Sequence, residues 1–272
     1  MTFITVAEVR IASGAPTTLI SDDDITSIIA DAEADVSQWL NTKFVPTQRL
    51  EFIDGTGTER LFLLKNPVLA VRELNTNSTS ISLDELYVSK QSGKIELSNG
   101  AETSVFASKR KTVKVKYLYG LLEESSTSTT STAATTAGTS VAISVSSETN
   151  FSDNDWVEIT GMDGNQEVAK ITGTDTNEIT VDQLVLAHES GSVVVKLLIP
   201  HYIKRYMNVE AAIAVAINAI GATYTFQASY NLGELSVVKG VPYTHWRESI
   251  EKLLKERAMR KARIRPRPSI QM

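Results

Sequence analysis

Sixteen residues near the middle of the chain, Ser125 to Ser140, decide its organisation: twelve of them are serine or threonine. A stretch this polar has little to bury, which predicts a flexible linker over residues 125–140. On either side the hydrophobic pattern is ordered, so the chain reads as folded segments parted by a tether.

Before the run, Thr5-Val6-Ala7-Glu8 has the form of a capping box opening a short helix, which Ser13-Gly14 ends. Ser21 then caps a longer helix whose first turn holds Asp22, Asp23 and Asp24, where the helix dipole favours negative charge. Ile25, Ile28, Ile29, Ala32, Val36 and Trp39 follow at helical spacing on one face, with Asp31 and Asp35 on the other. From Arg49 the period shortens to two. Asp54-Gly55-Thr56-Gly57 reads as a hairpin turn, and Val113, Val115, Tyr117 and Tyr119 alternate with Lys114 and Lys116, predicting a sheet with one wet side.

After the run, five short strands at even spacing suggest a small barrel or sandwich. Helix returns at Pro200, with a stripe through Ile203, Tyr206, Met207, Ile213 and Ile217 and a C-cap at Gly221. Pro242 opens a last helix carrying Trp246, Ile250, Leu253 and Leu254.

The order of these pieces, with Gly55-Thr56-Gly57, Asn66-Pro67-Val68, Val115-Lys116-Tyr117-Leu118-Tyr119-Gly120, Ile199-Pro200 and Gly233-Glu234-Leu235-Ser236-Val237, resembles the head–tail connector (head-completion or adaptor) proteins of tailed bacteriophages. The resemblance covers Thr5–Gly120 and Pro200–Leu254; in that family the Tyr-x-Tyr-Gly strand leads almost directly into the Pro-led helix, so residues 121–198 stand as an insertion. The fold implied is α+β: a helical connector core with a small antiparallel sheet, plus an inserted all-β domain. The expected layout is 1–120 and 200–254 for the connector, 121–199 for the insertion and 255–272 for a basic tail.

The resemblance implies a structural, non-enzymatic virion protein, made in the host cytoplasm. It would form a ring of about twelve copies between portal and tail, at the neck. Its partners would be copies of itself, the portal, the next neck or tail protein, and double-stranded DNA passing through the lumen without sequence recognition; no membrane is involved. In this reading Ile25, Ile28, Ile29, Trp39, Ile213, Ile217, Trp246 and Leu253 form the subunit core or its interfaces. The competing reading is an adhesion module whose β-domain binds carbohydrate.

Charge supplies the sharpest local candidate. Residues 251–272 hold eight bases and two acids, a charge of +6, which leaves −11 on the other 250 residues of a chain whose total is −5. Arg257, Arg260, Lys261, Arg263, Arg265 and Arg267 are therefore expected to dock on an acidic portal surface.

Other signals are weak. Asp54–Gly57 lacks the Lys-Ser/Thr of a phosphate loop. Asp22–Asp24 lack metal-ligand spacing; Asp153-Asn154-Asp155 and Asp163-Gly164-Asn165 read as turns with a slight chance of weak calcium binding. His188, His201 and His245 have no ligand or triad spacing, and the chain has no cysteine, which excludes disulfides, thiolate metal sites and cysteine nucleophiles. Nothing in the sequence calls for a cofactor or metal. Trp156 is expected in a core.

Overall fold

The computed structural model describes residues 3–97, 105–224, 231–232, 235–236 and 251–260. The chain divides into two compact units, residues 1–41 with 200–272 and residues 42–199.

The first unit joins the two ends of the chain. Helix α1 (Val6–Ser13) begins at the expected capping box: Thr5 Oγ1 accepts from the Glu8 N–H at 3.2 Å, and the Glu8 carboxylate accepts from the Thr5 N–H at 2.7 Å. Gly14, at φ 70°, closes it in the left-handed conformation that glycine adopts without steric cost. In α2 (Asp22–Trp39) the Ser21 hydroxyl accepts from the Asp24 N–H at 3.1 Å. Arg10 donates to Asp22 at 3.0 Å and to the Ile20 carbonyl at 2.9 Å, fastening the end of α1 to the start of α2. Both helices pack on α3 (His201–Tyr224), burying Ile25, Ile29 and Val36 against a face rich in small residues, Ala211, Ala212, Ala216 and Ala219. Gly221 does not end α3, which continues to Tyr224. An interior glycine costs a helix only about 1 kcal/mol, which a long packed face offsets. Residues 251–260 form α4, anchored by buried Leu253; the Pro242 start of this helix and Trp246 lie outside the described residues. A short hairpin, Asn231–Leu232 with Leu235–Ser236, precedes it.

Glu33 of α2 is buried and accepts from the Ile4 N–H at 3.3 Å and from the Phe3 N–H. Burial raises its carboxyl above the ordinary value, against the opposing pull of these two donors.

Among the described residues the second unit is antiparallel β-structure apart from one short 3-10 turn, Leu83–Glu85. One sheet runs in the order β1 (Thr47–Ile53), β7 (Val113–Tyr119), β3 (Val68–Thr76), β4 (Thr79–Ser80). A second runs β2 (Arg60–Phe62), β6 (Lys94–Leu97), β5 (Leu86–Ser89). The alternation in β7 behaves as expected: Val113, Val115 and Tyr117 face Leu61, Ile95 and Leu97 across a shared core, while Lys114 lies outside and pairs with Glu73 at 2.6 Å. Asp54–Gly57 is not a hairpin, because β1 and β2 belong to different sheets. Its glycines serve a close backbone crossing instead. A Cβ on Gly55 would stand 1.8 Å from the Ala107 carbonyl oxygen, and the Gly57 N–H donates to the Phe106 carbonyl at 2.7 Å.

The third sheet runs β8 (Glu123–Thr130), β13 (Val193–Leu198), β10 (Trp156–Thr160), β11 (Gln166–Asp175), β12 (Glu178–Leu184), β9 (Gly138–Ser144). Its outer edges meet: the Thr132 N–H donates to the Ser144 carbonyl at 2.8 Å and the Ser146 N–H to that of Thr130 at 2.9 Å. The sheet thus curls into a six-stranded barrel around Ile143, Val157, Ile159, Ile171 and Val181. The run expected as a linker supplies β8, the start of β9 and the barrel seam, so a sixth strand joins the five expected. Threonine is a good strand former and its hydroxyl suits a wet face, so high polarity did not prevent strand formation.

These sheets overturn the expected helical connector core. Strands dominate the chain, and among the described residues the longer helices belong to the end-to-end unit alone. Amphipathic helices give long periodic signals, whereas strands of three to seven residues with polar outer faces give faint ones, so the helices were over-weighted.

The barrel is held on the first sheet by a buried charge. Arg72 of β3 donates to the Val168 carbonyl at 2.7 Å and the Gln183 carbonyl at 2.9 Å, and lies 3.6 Å from the Glu167 carboxylate. Glu167 in turn accepts from the N–H groups of Val185 and Leu186 and meets His188 Nε2 at 2.9 Å. Around this cluster Leu69, Ala70 and Leu118 pack on Val168 and Leu197. Lys90 reaches Glu158 of β10 at 2.6 Å as a second anchor.

Two outcomes follow. Arg72→Ala leaves Glu167 and two carbonyls without their shared donor, and should cost about 3–5 kcal/mol in denaturant unfolding; a loss no larger than that of an exposed Arg→Ala would refute the anchor. Glu33→Gln keeps the acceptor oxygen and removes the titration. A raised carboxyl contributes stability that is present below its unfolded value of 4.5 and is lost as pH rises through the folded value. Wild type measured relative to Glu33→Gln should therefore lose stability as pH rises above 4.5, whereas a flat difference would count against the assignment.

Candidate interaction surface of the helical unit

Within the first unit, α2, α3 and α4 enclose an open groove of about 490 Å³. Ile28, Ala32, Ala214 and Ile217 supply its apolar lining, and Trp39 and Tyr206 meet in it with tilted rings, their centroids 5.8 Å apart. Ile217 is 55% exposed, high for an isoleucine on a stripe that reads as core. A second hollow, lined by Leu19, Asp24 and Ser27, shares Ile28 and Asn218 with the first and extends it along α2.

Acids line the groove. Asp31 and Asp35 stand on α2 one turn apart, both exposed and without a cation partner among the described residues. Glu210 of α3 is matched by Arg257 of α4 at 2.7 Å. Burial and the neighbouring Glu210 carboxylate push the Tyr206 hydroxyl up to about 12, so it remains protonated at physiological pH. The groove is therefore apolar at its base and negative along its α2 side.

The structure distributes the residues singled out in the sequence. Ile25, Ile29, Ile213 and Leu253 are buried, Ile28 and Trp39 are half-buried in the groove, and Ile217 is exposed there. Of the basic candidates, Arg257 is bound to Glu210, and Arg260 donates to Glu256 at 2.9 Å on its own helix. Lys261, Arg263, Arg265 and Arg267 lie outside the described residues. His188 is buried against Glu167, His201 is exposed at the start of α3, and His245 lies outside the described residues. Trp156 is half-buried and packs on the cluster of Leu69 and Leu118, so its ring is not a free platform for a sugar. Among the described residues no group of three or more acidic or histidine side chains is placed to hold a metal.

Two features escaped the sequence reading. Asp31 and Asp35 fall outside the apolar stripe, yet share a groove with Ile28. The breadth of that stripe, which a single neighbouring helix cannot cover, was the available signal. Arg72, Glu167 and His188 come from three separate elements, and no spacing rule links them.

Comparison with known proteins gives a family match. Residues 2–136 fit the family model described as head completion protein. No curated protein matches. Among solved structures, the flagellar junction protein FlgL from Legionella pneumophila aligns at 11% identity over 94% of this chain and 82% of that one, with a TM-score of 0.11, too low to carry any argument about fold. The match takes in α1, α2, the two small sheets and β8, and over residues 2–136, just under half of its length, the chain is that of the head completion proteins, a family of structural phage head–tail connectors.

Proposed function

We propose that the protein is a ring-forming subunit of the virion neck, seated between portal and tail, where it lengthens the DNA channel and offers a docking surface to the next protein. The family match over residues 2–136 carries this reading. The charge distribution supports it: 250 residues carrying −11 repel a phosphate backbone, as suits a passage through which DNA slides rather than a surface that grips it. The mechanism is assembly through repeated contacts, in which each subunit offers one face to a neighbour and another to the ring above or below.

The basic C-terminal segment is the joining element toward the portal. Arg257 and Arg260 are already engaged within the subunit, so the docking charge falls to Lys261, Arg263, Arg265 and Arg267. These four cations suit an acidic protein surface.

The pairing of Arg257 with Glu210 also sets where the test is made. A cut after Leu254 would remove Arg257 and half of α4, so the informative truncation ends at Arg260. That chain should fold with unchanged circular dichroism and fail to form a collar when mixed with its portal and imaged by negative stain, while the full chain forms one. A collar formed equally by both proteins would remove the tail from the reading; its absence with both would remove the neck assignment itself.

A further inference from the structure

The neck reading leaves open what holds one subunit to the next, and the groove of the helical unit bears on it. We propose that this groove receives the basic C-terminal segment of a second copy, so that neighbours associate head to tail; the inference rests on the ring reading above.

The charges are complementary. Asp24, Asp31 and Asp35 line the trough with no cation partner among the described residues, and Arg257 neutralises Glu210 alone. The chain's one strongly cationic stretch begins at the end of α4. Its apolar residues are interleaved with its bases: Met259 is 62% exposed, and Ile264 follows between Arg263 and Arg265. An apolar base with an acidic side is the counterpart of such a segment.

Length allows it. α2 has 18 residues, about 27 Å of helix. Residues 261–272 can reach at most about 40 Å, enough to follow the trough and leave the last residues beyond it. Asp31 and Asp35, one turn apart, need only Lys261 and Arg263 as partners, which leaves Arg265 and Arg267 for the portal contact.

Symmetry favours this occupant over a self-paired contact. A two-fold dimer through the groove would set Asp31 and Asp35 against their own copies. A groove on one subunit filled by a different element of the next is a heterologous contact, which closes into a ring when the rotation per subunit permits.

The absence of native cysteine makes the test direct. Chains carrying only Ile217→Cys are mixed with chains carrying only Ile264→Cys and oxidised. The expected product is a disulfide-linked heterodimer whose rate of formation falls as salt is raised. Adding Asp31→Lys and Asp35→Lys to the first chain should lower that rate by roughly tenfold, with circular dichroism unchanged because both positions are exposed. Pairing these with Lys261→Glu and Arg263→Glu in the second chain should restore it. No heterodimer, or a rate indifferent to the charge reversals, overturns the proposal. So does a chain carrying both cysteines that links only to itself at a rate independent of concentration. Portal binding is measured separately: the groove variant keeps its tail and should still bind portal. Loss of portal binding by the wild type would defeat the neck reading while leaving the cross-linking result interpretable on its own.

Discussion

One guanidinium holds the β-unit in register. Arg72 leaves β3 and ends among the Val168 carbonyl, the Gln183 carbonyl and the Glu167 carboxylate, all contributed by the barrel. Taking a charge of each sign out of water is expensive, and hydrophobic residues of similar volume often serve stability as well or better. What the ionic arrangement adds is direction. Donors and acceptors must meet at fixed angles, whereas Leu69, Leu118 and Leu197 would tolerate a slide of one sheet over the other. Glu167 is held from its far side by two backbone N–H groups and His188, so it presents its charge to Arg72 in one geometry.

The helical unit poses a different problem, since its pieces come from opposite ends of the chain. α1 and α2 bury their apolar faces only when α3, more than 150 residues later, arrives. Closure entropy grows slowly with length, at about 0.6 kcal/mol for each doubling, so a long intervening β-unit adds little to the cost of bringing the ends together. Local caps lower the remaining cost by fixing where each helix begins. Thr5 with Glu8, Ser21 with Asp24 and Arg10 with Asp22 all form within a few residues of one another or across one short turn.

Such local devices were legible in the sequence because their chemistry is written in adjacent letters. The caps of α1 and α2, the alternation of β7 and the return of helix at Pro200 could all be read directly. Features set by distant partners could not. Asp54–Gly57 was recognised as glycine-dependent, but the reason lies in residues 106–109, half a hundred positions away. The Ser/Thr run was judged by polarity, and its pairing with β13 and its seam with Ser144 and Ser146 were invisible to that measure. The groove was half legible: its apolar residues stood in the stripes of α2 and α3, but its acids became part of the same surface only when the two helices met.

The paired anchors of the barrel have a mechanical meaning. Arg72 alone would be an axle about which the barrel could turn; Lys90 on Glu158, reached from the end of β5 in the second small sheet, removes that freedom. A push on the barrel is then shared by several polar contacts strained together, as rivets share the load on a plate, rather than peeling them apart one after another. A body fixed in this way moves with its support, and whatever displaces one displaces the other.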